Sequence, residues 1–108
     1  MSDDLQPIII DFNKCSNDTL NESFLKMFGF AVKSILKYMF NASPIPVKIK
    51  GHPTQVKSFV NALAQEKRYL DSYKQFGLDD PRTLQDKSIL AQSVRKFERA
   101  TGLKWPFK

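Results

Sequence analysis

Residues 21–40 read NESFLKMFGFAVKSILKYMF, about five turns if helical. Phe24, Leu25, Phe28, Ala31, Val32, Ile35, Leu36 and Met39 recur at the three-and-four spacing that gathers side chains on one face of a helix. Met27, Phe30, Tyr38 and Phe40 widen that face, and Lys26, Lys33 and Lys37 occupy the narrow polar strip that remains. A helix this apolar has to be covered on most sides. Its own chain, a second copy, another protein or a lipid surface could each supply the cover, and the choice among them decides what the molecule does. The three lysines interrupt the run, so it is not a membrane-spanning segment, which needs ~20 clean apolar residues.

On either side of this helix the chain changes character. Pro7-Ile-Ile-Ile-Asp-Phe12 is β-branched and does not alternate, so it reads as a strand or extended arm covered on both faces. Thr19-Leu-Asn-Glu22 has the form of a capping box, which predicts a helix start near Leu20. Asn41-Ala-Ser-Pro-Ile-Pro46 stops the helix, because neither proline can continue it. This boundary separates an arm plus amphipathic helix (1–43) from a small basic strand–helix–helix region (44–108), and the two are expected to form one structural unit.

Val47-Lys-Ile-Lys50 alternates apolar and basic, as a half-exposed strand does, with Lys48 and Lys50 on one face. Pro53 and Thr54 open a second helix whose buried side is read as Val56, Phe59, Val60, Leu63, Leu70 and Tyr73, and Gly77 closes it. Asp80 or Thr83 caps a third helix with Pro81 in its first turn. Leu84, Ile89, Leu90, Val94, Phe97 and Leu103 supply its apolar side, and Gly102 ends it. The expected fold is α+β and helix-dominated, in the order strand–helix–strand–helix–helix. It has at most two short strands, parallel if a right-handed crossover joins them, and an aromatic C-terminal tail.

The chain has 108 residues, one domain by length. Its net charge of +6 is uneven. Residues 1–23 hold five acids against Lys14, a balance of −4, and residues 24–108 carry +10. A basic body favours polyanionic partners. The acidic leader does not suit a targeting peptide, and the single cysteine, Cys15, excludes an intrachain disulfide and fits a reducing compartment. Cys15 and the single histidine, His52, are too few and too far apart for a zinc site, and no phosphate-binding glycine loop or nucleophile elbow occurs. No cofactor is expected, and the adjacent Asp79 and Asp80 read as capping residues rather than a catalytic pair.

Two kinds of surface remain. The apolar helix offers Phe24, Phe28, Val32, Ile35 and Met39 as a protein interface, and the tail, with Trp105 and Phe107, either plugs the chain's own core or joins that interface as an anchor. The cations Lys48, Lys50, Lys67, Arg68, Arg95 and Arg99, with Tyr69 among them, offer phosphate contact and stacking. With no recognition motif, such contact would follow the nucleic-acid backbone rather than read sequence.

Pro46-Val-Lys-Ile-Lys-Gly51, Glu66-Lys-Arg-Tyr69, Gly77-Leu-Asp-Asp-Pro81 and the closing Phe97-Glu-Arg with Thr101-Gly-Leu-Lys-Trp-Pro-Phe107 resemble small uncharacterised proteins of large tailed bacteriophages. The resemblance covers the C-terminal half. It implies a viral protein in the host bacterial cytoplasm or the virion, acting through binding, and brings no catalytic residues. The resulting expectation is a non-enzymatic phage accessory or virion protein that assembles or docks through residues 21–40 and presents a basic surface. A nucleic-acid-binding modulator and an inhibitor of a host enzyme are the alternatives.

Overall fold

In a computed structural model of the chain, residues 8–12, 22–41 and 47–107 are described, with side chains of the first helix from Lys26 onward. Strand β1 (Ile8–Asp11) is followed by helix α1 (Glu22–Phe40), strand β2 (Val47–Lys50), helix α2 (Pro53–Phe76) and helix α3 (Pro81–Thr101). This is the helix-dominated α+β order expected, ending in the aromatic residues Trp105 and Phe107. The proposed cap at Thr19 lies outside the described residues.

The strands pair in parallel, Ile8 with Val47, Ile9 with Lys48, Ile10 with Ile49 and Asp11 with Lys50. Because side chains alternate along a strand, this register gives the sheet two unlike faces. Ile8, Ile10, Val47 and Ile49 turn to the core. Ile9, Asp11, Lys48 and Lys50 share the other face, and Ile9 is 58% exposed. The run of isoleucines is therefore not covered on both sides within one chain.

The core is built on five rings from five segments of the chain: Phe12 after β1, Phe28 of α1, Phe59 of α2, Phe97 of α3 and Trp105 of the tail. Phe12 lies 5.4 Å from Phe59 and 6.0 Å from Phe97, Phe28 stacks on Phe97 at 5.8 Å, and Trp105 stands edge-on to Phe97 at 5.2 Å. Each such pair contributes about 0.5–1.5 kcal/mol beyond its buried area. Val32, Ile35, Leu36, Leu63, Val94 and Leu103 fill the space around the rings. The two stretches divided by the proline boundary thus share one core.

The turn chemistry follows the local sequence. His52 stands at the N-cap of α2, and the Gln55 side-chain oxygen accepts its backbone N–H at 2.9 Å. Pro53 takes the first position, where a missing N–H is harmless. Asp80 caps α3, accepting the Arg82 backbone N–H at 2.9 Å and the Arg82 guanidinium at 3.0 Å, which pulls its carboxyl below the usual range. Gly102 adopts the left-handed conformation that ends α3.

Of the residues read as core, Val56, Leu70 and Ile89 are only half-buried and three others are exposed. Val60, Tyr73 and Leu84 are 49%, 44% and 51% exposed. Their places between α2 and α3 are taken by hydrogen-bonded polar groups. The Ser72 hydroxyl donates to Asp86, which also meets the Arg68 guanidinium at 3.4 Å, and the Thr83 hydroxyl donates to the Ser72 carbonyl at 3.2 Å. Asn61 donates to the Ser93 hydroxyl at 3.1 Å. An apolar-only reading of the helix faces does not find these positions, because the side chains that bury there are polar.

Candidate functional site

Most of the interface anchors read from the sequence point inward. Phe28, Val32 and Ile35 are 5%, 0% and 3% exposed and Trp105 is 2% exposed, while Met39 and Phe107 are half-buried against the same core. The Phe24 side chain lies outside the described residues. The chain covers this side of α1 itself, and the corrected candidates are the residues on the helix's other flank.

That flank is exposed and apolar. Met27 and Phe30 are 72% and 74% exposed. With Ala31 and Ser34 they repeat at three-and-four spacing, so one column of α1 faces β1 across a groove of about 450 Å³. All four residues of β1 form the opposite wall, and Asp11, Lys26 and Ser34 are the only polar side chains on its lining. A small-molecule site of this size uses several convergent polar groups to orient its ligand. This groove offers apolar contact and a strand edge instead. Among the described residues no third strand pairs with β1.

The tail is a plug. Trp105 donates its indole N–H to Glu66 at 2.8 Å and its backbone N–H to Glu98 at 2.9 Å. Pro106 lies against the bare Cα of Gly29, where an added methyl would meet it at 3.7 Å. Burial raises the Glu66 carboxyl above its ordinary value, and the indole hydrogen bond offsets part of that rise. The sequence held the signal for this contact only as an acid on an otherwise apolar helix face.

The basic residues do not gather on one surface. Lys48 and Lys50 lie on the outer face of the sheet. Lys67 is tied to Asp71 at 2.8 Å and sits over the Phe40 ring, and Arg68 is held by Asp86. Tyr69 is half-buried beside Arg95 in one groove, whereas Arg99 opens into another between α2 and α3. That second groove brings in Lys96, which the sequence places beside Arg95 and Arg99, and Lys57, which the sequence reading passed over. The sequence carried no signal for Lys57, which stands on the opposite helix.

Among the described residues no group of three His, Cys, Asp or Glu side chains could hold a metal ion, and no helix is long and apolar enough to cross a membrane. No family model, curated protein or solved structure matches the chain.

Proposed function

We propose that the chain is a non-catalytic assembly protein that pairs with a second copy through β1 and the Met27–Phe30 flank of α1. The carrying observation is the unequal protection of the two strand edges. Strands left at a sheet edge are commonly blunted by lysine. β2 carries Lys48 and Lys50, whereas β1 carries three isoleucines and opens onto an apolar groove. A two-stranded sheet is marginal alone. Antiparallel pairing of β1 with its symmetry mate makes a four-stranded sheet with the lysine-bearing strands outermost. It also sets the two Ile9 side chains beside each other on the face the single chain leaves bare.

In the phage setting that the C-terminal resemblance implies, such a dimer serves as an accessory or virion component and turns its basic helices outward. Light scattering at micromolar concentration tests the pairing, with twice the chain mass expected. A second measurement places the contact. In a Cys15→Ser background, Ile9→Cys should form a disulfide-linked dimer on mild oxidation faster than Lys48→Cys. Cysteines facing each other across a two-fold strand pair come within disulfide reach. A monomer, or equal cross-linking at both positions, overturns the reading.

A further inference from the structure

We propose that the groove between the first turns of α2 and the last turns of α3 binds the phosphodiester backbone of a nucleic acid. Thr54, Lys57, Ser58 and Asn61 form one wall, and Lys96 and Arg99 stand on the other. Three cations therefore line the groove and no acid does. Lys67, Arg68 and Arg82 are engaged by Asp71, Asp86 and Asp80, while Lys57, Lys96 and Arg99 have no acidic partner among the described residues. A cation without an internal partner keeps its full attraction for an outside anion, and releasing the anion's counterions adds to the driving force.

At one end of the groove the Asn61 amide donates to the Ser93 hydroxyl at 3.1 Å, tying its α2 wall to α3. Thr54 sits in the first turn of α2, at the positive end of a helix of 24 residues, and that turn contains no acid. With Lys57 facing Lys96 and Arg99, the walls can straddle a chain of phosphates. Beyond the groove, Arg95 stands one helical turn before Arg99, in the neighbouring groove, and adds a further cation along α3. A repeating polyanion matches this extended charge better than a single phosphate group does. Ala100 is the only apolar residue of the lining, so no anchor is offered to a lipid surface. No aromatic ring lines the groove either, so bases are not stacked and binding follows the backbone without regard to sequence.

The test is fluorescence anisotropy with a labelled mixed-sequence DNA duplex at low and moderate salt. Three phosphate contacts predict an affinity loss of about 40-fold between ~50 and ~200 mM salt. Lys57→Glu with Arg99→Glu should weaken low-salt binding at least tenfold and flatten the salt slope. Lys33→Glu with Lys37→Glu, the same charge change on exposed positions of α1, should leave it within about threefold. Lys57→Gln with Arg99→Gln should give a smaller loss in the same direction, with circular dichroism confirming that each variant is folded. Absence of binding at low salt overturns the proposal. So does equal weakening by the two reversal pairs, or tighter binding to polyglutamate or phosphatidylserine vesicles than to the duplex. None of these results depends on whether the chain dimerises through β1.

Discussion

The indole N–H of Trp105 donates to a carboxylate oxygen of Glu66 at 2.8 Å, joining the tail to the middle of α2 inside the core. Glu66 is 4% exposed, and burial raises its carboxyl above the ordinary value of 4.5. Between that value and the raised one, the folded chain holds a proton that the unfolded chain has released. Stability therefore falls as pH rises through this window and levels off above it. Glu66→Gln keeps a side-chain acceptor for the indole and removes the titration. Urea unfolding from about pH 4 upward should show the downward slope in the native chain and a flatter profile in the variant.

The two flanks of α1 should respond in opposite ways. Phe28 stacks on Phe97 in the core, so Phe28→Ala should cost about 3–5 kcal/mol in denaturant unfolding. Phe30 is mostly exposed, and Phe30→Ser should change the stability of the single chain by no more than about 0.5 kcal/mol. In light scattering the same Phe30→Ser change should shift the protein toward monomer. A dimer unaffected by Phe30→Ser together with Ile9→Ser would remove the β1–α1 face as its contact.

Gly51 is tightly held at the end of β2. Its φ is +154°, and an added Cβ would lie 2.8 Å from the Phe12 Cβ and 2.9 Å from the Gln55 side-chain oxygen. Phe12 is 1% exposed and packed among the core rings, so it cannot withdraw. Gly51→Ala should destabilise by about 1–3 kcal/mol. Gly102→Ala adds a side chain to a left-handed cap in open space, and its cost should come from backbone strain alone, about 1 kcal/mol. The difference between the two midpoints in urea separates crowding from strain.

Asp80 supplies both a cap and an ion pair at the start of α3, with Arg82 lying over the Phe76 ring at 3.5 Å. Its carboxyl is held below the usual value chiefly by the Arg82 hydrogen bonds. The stability it contributes is complete above the ordinary aspartate range and is lost as pH falls through its lowered value. Asp80→Ala should lower the melting temperature at pH 7, and the difference from the native chain should shrink toward acid. Asp80→Asn, which keeps a capping oxygen, should recover part of the loss.

The helices, the Asp80 cap, the glycine stops of α2 and α3 and the strand–helix–strand order were legible because each rests on local signals: Pro53, Gly77, Pro81, Gly102 and the alternation of Val47–Lys50. The buried side of α1 followed from its spacing, although spacing alone could not distinguish the chain's own core from a partner's. What settles that side is tertiary contact, with Phe12, Phe59 and Phe97 arriving from three separate segments to cover Phe28. Val60, Tyr73 and Leu84 were misplaced because α2 and α3 meet partly through Ser72, Thr83, Asp86 and Ser93. The basic groove was legible only in its Arg99 wall, since Lys57 joins it across two antiparallel helices.

The seating of Trp105 between Phe59 and Phe97 also gives the molecule a built-in optical gauge. It is the chain's single tryptophan. Its emission therefore comes entirely from a dry pocket beside Glu66, and should move to longer wavelength when the tail lifts away. Acid titration and urea unfolding can both be followed at this one chromophore, with no dye attached.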